Sequence, residues 1–579
     1  MPNLGVATTV SIVPMPRYRP TPPPLPISPI WARRQGRLFI FMLIIITLLC
    51  RAIYLQVMHT DFLQTQGDAR HLRTLPIVAH RGMLLDRNAV PLAVSTPVDS
   101  VWLNPAQFAT ETARWQQLAT VLNITVADIE TSLTGRMQRE FVYLKRQISP
   151  SVAQQVEKLN IEGVFLQREY GRYYPTGDIC AHVVGFTNVD DMGQEGVERS
   201  LDNLLAGEAG AKQVVQGRHG QIIAEVRGLK SAHPGADIRL SIDSRLQYVA
   251  LRELKAAIIE HHAKSGTVVM LDVHRGEVLA MVNYPSYNPN NTGEQEADKI
   301  RNRAVTDVFE PGSTMKAFTL SAALESRKYT ATTTIDTRPG YLMLDKYKVR
   351  DSHNYGTIDL TTVIQKSSNV GAAKIGLSLK AQQLWQLFTQ IGFGKLSGSG
   401  FSGEVSGFVP AFQTWNRVKQ ASVSFGYGLN VTALQLARAY ATLGNDGILP
   451  PVHLLMQHSE LADATAFRVM RSDTAQAMVR MLETVVAHGG TGEAAKISGF
   501  RVAGKTGTVR KVTANGYSES QYFALFAGLV PASDPRLAMV VMIDAPQEGE
   551  YYGGKVAAPV FANIMSHILP WLNIPPDDK

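Results

Sequence analysis

The segment "FEPGSTMKAFTL" (residues 309–320) places a serine and a lysine three residues apart, at the predicted start of a helix. Pro311 and Gly312 are typical of a turn, and Ser313 is a residue type preferred at a helix N-cap. Lys316 follows one helical turn later, on the same face, where it could act as the base for a Ser313 nucleophile. The segment alone allows both interpretations, so the rest of the chain has to decide between them.

A second polar group stands before another predicted helix. In "QKSSNVGAAKIGLSL" (residues 365–379), Ser367 and Asn369 lie on either side of Ser368, and a helical run follows. A polar start is ordinary for a helix, so this S-x-N pattern has little specificity by itself. It gains weight only from the motifs around it.

A third motif lies on a predicted strand, "FRVAGKTGTVRKV" (residues 500–512). In an extended strand the side chains of Thr506 and Thr508 point to one face. Two hydroxyls on one face can hold a carboxylate, and Lys505 adds positive charge beside them. Gly507 would remove a side chain where a ligand lies close to the backbone. An edge strand with exposed threonines is the ordinary alternative.

The letters of a phosphate-binding loop also occur here, because "GFRVAGKT" (residues 499–506) fits G-x-x-x-x-G-K-[ST]. A phosphate loop follows a strand and leads into a helix whose N-terminal amides hold the phosphates. After Thr506 the sequence instead continues with glycine and β-branched residues, which disfavour a helix. We therefore reject the competing hypothesis of a nucleotide-hydrolysing enzyme.

The composition suits a globular protein of two or three domains: the chain has 579 residues, of which 45% are hydrophobic and 18% charged. The formal net charge is +8, and residues 1–37 contain five arginines and no acidic residue. The stretch "PTPPPLPISP" (residues 20–29) adds prolines, so we expect residues 1–37 to form a disordered or extended tail. No basic stripe with interleaved aromatic residues follows, so we expect no nucleic-acid partner.

An apolar segment follows this tail. The run "LFIFMLIIITLLC" (residues 38–50) is shorter than a bilayer span, but residues 38–57 reach the required ~20 residues if Arg51 extends to the interface. No small-x-small cleavage site follows, so we predict a transmembrane signal-anchor helix rather than a cleaved signal peptide. The arginines before it place the N-terminus in the cytoplasm and residues 58 onward outside the membrane.

The outer part of the chain has two regions of different texture. Residues 58–237 group no nucleophile with a base, so we expect an interaction domain there. From about residue 238, β-rich runs at 265–273 and 276–284 predict a hairpin. Mainly helical sequence follows, and strand patterns return at 500–512, 521–530 and 536–545. We therefore predict an α/β (α+β) fold in residues 238–579, with one mostly antiparallel sheet covered by helices.

The cysteines and histidines show no metal-binding pattern. Only two cysteines occur, Cys50 in the apolar segment and Cys180 far along the outer part, and these two are not expected to pair. His261 and His262 are adjacent rather than at a metal-ligand spacing, and there is no H-E-x-x-H. We predict no metal and no cofactor.

Taken together, S-x-x-K, S-x-N and K-T-G occur in this order in one domain, which is the motif set of the penicillin-recognising serine acyl-transferases. The chain resembles the class B penicillin-binding proteins, and among them the septal transpeptidases of Gram-negative rods, from about residue 38 to the end. The resemblance rests on these motifs and on "RNRAVTDVFEPGSTMK", "SFGYGLNVT", "SYNPNN", "YYGGKVAAPVF" and "RGMLLDRN". It implies a five-stranded sheet in the transpeptidase domain, an elongated pedestal for dimerisation or interaction, and an inner-membrane anchor with a periplasmic catalytic domain.

The resemblance also implies a role for each motif residue. Ser313 would be the nucleophile, Lys316 a buried base with a lowered pKa, and Ser367 a proton relay to the leaving D-alanine. Asn369 would hold the acyl-side amide, and the backbone N–H groups of Ser313 and Thr508 would form the oxyanion hole. The terminal carboxylate of a D-Ala-D-Ala donor or of a β-lactam would be bound by Lys505, Thr506, Gly507 and Thr508.

Several alternatives remain at this point. A β-lactamase needs a deacylating base, but Glu404, Glu460, Glu483 and Glu493 lack the asparagine four residues later that marks the class A loop. A bifunctional glycosyltransferase would need paired-glutamate motifs before Ser313, and a non-catalytic division scaffold would not need intact motifs.

The expected partners are peptidoglycan stem peptides, β-lactams, a membrane septal glycosyltransferase and other divisome proteins. The segment "KTGTVRK" (residues 505–511) stands where the family has "KTGTAKK", so Val509 and Arg510 depart from the pattern, as does Ala433 where proline is usual. Both the main septal enzyme and a paralogue stay open.

Overall fold

The computed structural model describes residues 29–63, 65, 72–216, 222–291, 293, 296–456, 467–513, 516–547 and 549–578. The chain divides into two compact units. One unit comprises Met1–Leu75 and Lys212–Arg227, and the other comprises Pro76–Ala211 and Gly228–Lys579.

A long helix, α1 (Pro29–Ile53), leads the described chain and continues as a π-helical turn at Tyr54–Met58. The stretch Arg33–Met58 is long and apolar enough to cross a membrane. The helix begins well before residue 38, because the alanine, arginines and glutamine ahead of the apolar run are good helix formers. The expectation of an extended or disordered tail was therefore wrong for residues 29–37, and its first 28 residues lie outside the described part.

The strands of the following region form two sheets. The strands are β1 (Leu72–Ile77), β2 (Leu84–Leu85), β3 (Pro91–Leu103), β4 (Val142–Ile148), β5 (Val164–Tyr173), β6 (Gly210–Gln216), β7 (Ile222–Lys230) and β8 (Ile238–Arg239). One sheet has the order β4-β3-β2-β8, with β5 also paired to β3, and the other has the order β1-β6-β7. The long strand β3 is therefore the centre of the first sheet.

Short helices cover this region. They are α2 (Pro105–Phe108), α3 (Trp115–Leu122), α4 (Val126–Leu133), α5 (Pro150–Leu159), α6 (Ala181–Val184), α7 (Gly196–Ser200) and α8 (Asp202–Leu205). Apolar residues of α3, α4 and α5 pack with β3 in one core cluster. Arg81, within the "RGMLLDRN" patch, and Arg172 both form ion pairs with Glu198, at 2.7 and 2.6 Å, and all three side chains are buried. These pairs tie the patch and β5 to α7.

A five-stranded antiparallel sheet forms the centre of the C-terminal region. Its strands are β9 (Ser265–Asp272), β10 (Val278–Tyr284), β17 (Ala503–Thr513), β18 (Gly516–Val530) and β19 (Leu537–Asp544), in the order β10-β9-β19-β18-β17. The predicted hairpin of β9 and β10 and the single antiparallel sheet are confirmed. All residues of β19 are buried, which explains why its sequence is a continuous apolar run rather than an alternating one.

The sequence between β10 and β17 is mainly helical, as predicted. Its short strands are β11 (Thr334–Asp336), β12 (Tyr341–Leu344), β13 (Tyr347–Arg350), β14 (Thr357–Asp359), β15 (Ile448–Leu449) and β16 (Phe467–Arg468). The helices of the C-terminal region are α9 (Ser244–Glu260), α10 (Ala297–Ile300), α11 (Arg303–Thr306), α12 (Lys316–Glu325), α13 (Leu360–Gln365), α14 (Asn369–Ser378), α15 (Ala381–Gln390), α16 (Arg417–Ser424), α17 (Ala433–Gly444), α18 (Ser472–Val486) and α19 (Gly553–Trp571).

Helices cover both faces of the five-stranded sheet. The buried faces of α9 and α19 share one core cluster with the sheet, and α12, α17 and α18 share another. A sheet buried on both sides holds its strands rigidly, so the side chains on its edge strand β17 have fixed positions. The segment 309–320, which carries Ser313 and Lys316, lies beside that edge strand.

Candidate active site

Ser313 does not cap a helix. It lies inside a short 3₁₀ turn, Gly312–Met315, and Lys316 is the first residue of α12, which has no side-chain cap. The Oγ of Ser313 instead accepts a hydrogen bond from the Nζ of Lys316, at 3.0 Å. The N-cap interpretation was therefore wrong, because a 3₁₀ turn precedes the helix and directs the hydroxyl toward the lysine.

Lys316 is fully buried, and oxygens surround its amine. Besides Ser313, its Nζ donates to the backbone oxygen of Ser367 at 2.6 Å, to the Oγ of Ser367 at 3.1 Å and to the Oδ1 of Asn369 at 2.7 Å. Burial lowers the pKa of Lys316 to about 7, and the carboxylate of Asp351 partly opposes that effect. A sizeable fraction of this amine is therefore neutral near neutral pH and able to accept a proton.

Lys505 is the second buried amine of the site. Its Nζ donates to the Oγ of Ser367 at 3.0 Å and to the backbone oxygen of Thr506 at 3.1 Å. Burial, and then the charge on Lys316, lowers the pKa of Lys505. The hydroxyl of Ser367 thus joins both amines, and their mutual repulsion favours a state in which one of them is neutral.

Ser367 has an unusual backbone conformation, with φ of 60°, in the left-handed region that serine rarely adopts. Asp351 holds the residues that follow it: its carboxylate accepts from the Oγ of Ser368 at 2.6 Å and from the backbone N–H groups of Asn369 and Val370 at 2.5 and 3.0 Å. Such strain persists only where the surroundings over-determine the conformation, which Asp351 does here. Sequence reasoning missed Asp351, since no local motif marks it.

Asn369 is the first residue of α14, and Ser368 is the N-cap of that helix. The Oδ1 of Asn369 accepts from Lys316, and its Nδ2 donates to the backbone oxygen of Arg350 at 3.0 Å. The two bonds fix the orientation of the side-chain amide. The structure therefore brings the serine, the lysine and the S-x-N group together, although 51 residues separate Lys316 from Ser367.

An open cleft of about 490 Å³ lies over these groups. It is lined by Ser313, Asp351, Ser352, Lys366, Ser367, Asn369, Gly490, Thr491, Glu493, Ala494, Thr506, Thr508, Tyr552, Gly554 and Lys555. Thr506 and Thr508 both face it from alternate positions of β17, as predicted. The Oγ1 of Thr508 accepts from the backbone N–H of Gly553 at 3.0 Å, and the hydroxyls of Thr506 and Thr491 lie 2.8 Å apart. Sequence reasoning did not predict that Thr491, Lys366 and Lys555 line this cleft.

Close packing also requires a glycine at position 507, in addition to the expected approach of a ligand to the backbone. A Cβ at this position would lie 3.0 Å from the Cβ of Leu525 and 3.2 Å from the Cγ2 of Thr314. Thr314 belongs to the 3₁₀ turn that carries Ser313, so Gly507 lets that turn approach β17 closely. Gly312 serves the same contact from the other side, since its Cβ would lie 2.3 Å from the Cγ2 of Val509.

The phosphate-loop letters at residues 499–506 have no phosphate-loop structure. Strand β17 begins at Ala503 and continues to Thr513, and β18 follows it, so no helix starts after Thr506. The rejection of that motif is confirmed. In the described part of the chain, no three histidine, cysteine, aspartate or glutamate side chains are grouped as metal ligands.

The arrangement as a whole suits acyl transfer. The hydroxyl of Ser313, hydrogen-bonded to a buried amine, can attack a carbonyl. The hydroxyl of Ser367, hydrogen-bonded to both amines, can transfer a proton. A cation and two threonines on one strand can bind a carboxylate next to the nucleophile.

Comparison with known families agrees with this geometry. Residues 266–566 match the penicillin binding protein transpeptidase domain, and residues 76–240 match the penicillin-binding protein dimerisation domain. The two matches divide the chain at nearly the same place as the change of sequence texture.

Similar proteins cover almost the whole chain. The peptidoglycan D,D-transpeptidase FtsI of Escherichia coli is 42% identical over 537 residues, which are 92% of this chain and 90% of that protein. The probable peptidoglycan D,D-transpeptidase PbpC of Pseudomonas aeruginosa is 39% identical, over 93% of this chain and 95% of that protein.

Solved structures give the same result. The transpeptidase domain of penicillin-binding protein 3 from Burkholderia pseudomallei is 41% identical, with a TM-score of 0.54 over 58% of this chain and 97% of that one. Penicillin-binding protein 3 from Mycobacterium tuberculosis in complex with aztreonam is 27% identical, with a TM-score of 0.68 over 87% of this chain and 98% of that one.

Proposed function

The chain belongs to the class B penicillin-binding proteins, and on this premise we propose that it is a peptidoglycan D,D-transpeptidase that works through an acyl-enzyme on Ser313. The observation that carries the proposal is the position of the Lys316 amine, 3.0 Å from the Oγ of Ser313 and 3.1 Å from the Oγ of Ser367. A buried amine between two hydroxyls can take a proton from one and return it through the other.

In the acylation step, neutral Lys316 accepts the proton of Ser313, and the Oγ of Ser313 attacks the carbonyl of the penultimate D-alanine. The backbone N–H groups of Ser313 and Thr508 stabilise the oxyanion, and the loss of one such donor slows an enzyme by about 100- to 1,000-fold. The C–N bond then breaks, and Ser367 passes the proton to the amine of the leaving D-alanine.

Carboxylate binding orients the donor. The hydroxyls of Thr506 and Thr508 face the cleft, and the buried amine of Lys505 lies behind Ser367. A terminal carboxylate, of the stem peptide or of a β-lactam, binds to these groups and places the scissile carbonyl at Ser313. The side-chain amide of Asn369 holds the amide on the acyl side of the substrate.

In the second step, the side-chain amine of a neighbouring stem peptide attacks the acyl carbonyl. The ester bond to Ser313 breaks, a proton from the amine returns to the Oγ of Ser313, and the new amide is the cross-link. Hydrolysis stays slow because the carboxylates that line the cleft are poorly placed to activate water. Asp351 accepts three hydrogen bonds from Ser368, Asn369 and Val370, and exposed Glu493 is bonded to His488. β-Lactams therefore stay attached to Ser313.

Intact-mass spectrometry of the full chain in detergent, after incubation with benzylpenicillin, tests the proposal beside Ser313→Ala. We expect a stable adduct of one drug per chain in the wild type and none in the variant. Rapid loss of drug without an adduct would identify a β-lactamase instead. A folded protein with neither adduct nor drug loss would identify a non-catalytic division scaffold.

The domain roles are part of the same proposal. We propose that residues 1–37 form the cytoplasmic tail, 38–57 the single membrane span, 58–237 a periplasmic interaction domain and 238–579 the transpeptidase domain. The arginines before the apolar run support this orientation across the inner membrane, because cytoplasmic flanks carry the positive charge. An alkaline phosphatase fusion at residue 60 should be active, and inactivity there would reverse the orientation.

The partners follow from the proposed role in septal cell-wall synthesis during cell division. We propose that the membrane span and residues 58–237 bind the septal glycosyltransferase and other divisome proteins. The described side chains of residues 38–50 in α1 are exposed and almost all apolar, which suits contact with lipid or with another membrane helix. Replacement of this helix by an unrelated span should abolish co-purification with that glycosyltransferase while leaving penicillin binding intact.

A further inference from the structure

The segment just before the nucleophile is bound along its length to the loop formed by residues 425–431. The backbone groups of Phe309 and Val431 exchange two hydrogen bonds of 3.0 Å, and the N–H of Gly312 donates to the backbone oxygen of Gly426 at 3.0 Å. A Cβ at Gly426 would lie 2.0 Å from the backbone oxygen of Gly312, so the loop can approach this closely only with a glycine there. The loop therefore supports the nucleophile turn from one side.

Glu310 adds a side-chain bond to this support and extends it to another element. Its Oε1 accepts from the backbone N–H of Gly428 at 2.7 Å and from the hydroxyl of Tyr517 at 3.0 Å. Tyr517 lies at the start of β18, pairs with Val512 near the end of β17, and meets the ring of Tyr427 edge to face at 5.7 Å. One carboxylate oxygen thus joins the nucleophile segment, the loop and the hairpin of β17 and β18.

The second oxygen of Glu310 shows that this carboxylate is held at a cost in solvation. Its Oε2 is buried and has no hydrogen-bond partner among the residues that the structure describes. Burial raises the pKa of Glu310, and the bonds from Gly428 and Tyr517 oppose that effect. A glutamine at this position would keep an acceptor for both donors without the buried charge, so position and charge can be tested separately.

The elements that Glu310 joins are the ones that carry the proposed oxyanion donors. The N–H of Ser313 belongs to the 3₁₀ turn, and the N–H of Thr508 belongs to β17. Donors on two separate elements stabilise an oxyanion only if the elements keep their separation to within about 0.5 Å. Gly507 allows the turn to approach β17 closely, and the bond between Glu310 and Tyr517 opposes their separation.

We propose that Glu310 is a positioning residue for acyl transfer: its carboxylate fixes the turn of Ser313 against β17, so that the two oxyanion donors keep their separation. The inference rests on the proposed transpeptidase function and adds a residue that does not touch the substrate. Loss of this residue lowers the rate of the step that forms the oxyanion. It leaves the first, noncovalent complex with a β-lactam nearly unchanged, because the groups that bind the carboxylate of the drug lie on β17.

The variants Glu310→Ala and Glu310→Gln test the proposal on the full chain in detergent. Stopped-flow mixing with increasing concentrations of a fluorescent penicillin separates the dissociation constant of the first complex from the rate constant of acylation. We expect Glu310→Ala to lower the rate constant by about tenfold, which corresponds to about 1.4 kcal/mol, and to change the dissociation constant by less than about threefold. Glu310→Gln keeps the acceptor and should restore most of the rate.

A boronic acid with the acyl side chain of benzylpenicillin gives a readout that is specific for the oxyanion donors. The Oγ of Ser313 adds to the trigonal boron as its proton passes to Lys316, and a boron hydroxyl then takes the place of the oxyanion. The affinity for this probe should fall in Glu310→Ala by about the same factor as the acylation rate constant. The final amount of penicillin adduct should stay at one drug per chain, because the variant is slower rather than unfolded.

Tyr517→Phe removes the hydroxyl and keeps the ring. It should reproduce part of the loss, about threefold in the acylation rate constant, and it should add little when combined with Glu310→Ala, because both changes break the same bond. Glu519→Ala is the matched control, since Glu519 is an exposed glutamate of the same strand, and it should be acylated at the wild-type rate.

A wild-type rate constant of acylation in Glu310→Ala would overturn the inference. Equal losses in Glu310→Ala and Glu310→Gln would also overturn it, because they would show that the charge matters rather than the position. A lower final amount of adduct with an unchanged rate constant would show a damaged fold and would refute it too. In each of these cases a wild type that penicillin acylates leaves the proposed function intact, whereas a wild type that penicillin does not acylate refutes the proposed function as well.

Discussion

The Oγ of Ser368 donates a 2.6 Å hydrogen bond to the carboxylate of Asp351, a residue of the segment that follows the β12–β13 hairpin. The same carboxylate accepts from the backbone N–H groups of Asn369 and Val370. Through these bonds one carboxylate fixes the turn that presents Ser367 to the two buried lysines. Asp351 is thus a positioning residue for the proton relay.

Asp351→Ala should slow the acylation of Ser313 by penicillin by at least about tenfold, because each hydrogen bond to a charged group is worth about 1.5–3 kcal/mol. It should also move the pH midpoint of acylation to lower pH, since the Asp351 carboxylate raises the pKa of Lys316. Stopped-flow acylation with a fluorescent penicillin across the pH range measures both effects.

Two variants complete the test of Asp351. Asp351→Asn keeps an acceptor and should recover part of the rate, and Asp336→Asn removes an exposed carboxylate as a control. An unchanged rate in Asp351→Ala would refute the positioning role. A slower rate with an unchanged midpoint would leave only a structural role.

The acylation rate should rise with pH through about 7, since the neutral amine of Lys316 is the base and burial lowers its pKa to about 7. Below that pH the amine is protonated, and the second-order rate constant should fall by about tenfold per pH unit. A penicillin with no titrating group in this range is the suitable probe. A rate that stays constant from pH 5.5 to 9 would exclude Lys316 as the base.

Ser367→Gly and Ser367→Ala should separate backbone strain from chemistry. Both remove the hydroxyl that joins Lys316 and Lys505, so acylation should fall by about 100- to 10,000-fold in each. Ser367 has a φ of 60°, which glycine adopts freely, so the glycine variant should be more stable than the alanine variant by about 1 kcal/mol. Urea unfolding of the two variants checks the difference. Equal stability would show that the turn is not strained.

Gly553→Ala should disturb the contact between α19 and β17. Its Cβ would lie 2.3 Å from the backbone oxygens of Gly507 and Leu525, and its N–H holds the hydroxyl of Thr508. Overpacking of this kind costs about 1–3 kcal/mol of unfolding free energy, and acylation should slow as Thr508 loses its donor. Gly228→Ala is the control, because nothing lies within 4 Å of its Cβ. Wild-type stability and acylation in Gly553→Ala would contradict this interpretation of the contact.

Two of the residues that depart from the family pattern, Ala433 and Val509, have simple local explanations. Ala433 is the first residue of α17, where the helix already has a capping box between Thr432 and Gln435. A proline is tolerated at that position because its missing N–H would be unpaired there, so alanine changes little. Val509 is fully buried and packs against Gly312, below the turn that carries Ser313.

Much of the fold could be predicted because its signals are local. The apolar runs of β9, β18 and β19 predicted strands, and the glycine and β-branched residues after Thr506 predicted a strand in place of a phosphate loop. The start of α1 and the 3₁₀ turn at Ser313 could not be placed, since helix boundaries depend on weak preferences that neighbouring structure overrides.

By itself, the sequence determined the order of the three motifs, the hairpin and antiparallel sheet, the apolar N-terminal segment and the residue types of the nucleophile and its base. Only the tertiary structure decided which groups meet. It placed the amine of Lys316 among the oxygens of Ser313, Ser367 and Asn369. It also placed the carboxylate of Asp351 where it binds Ser368 and fixes the turn that contains Ser367. The reason is physical: burial sets the pKa of a lysine and long-range packing sets the contacts of a carboxylate, and neither is encoded within a few neighbouring residues.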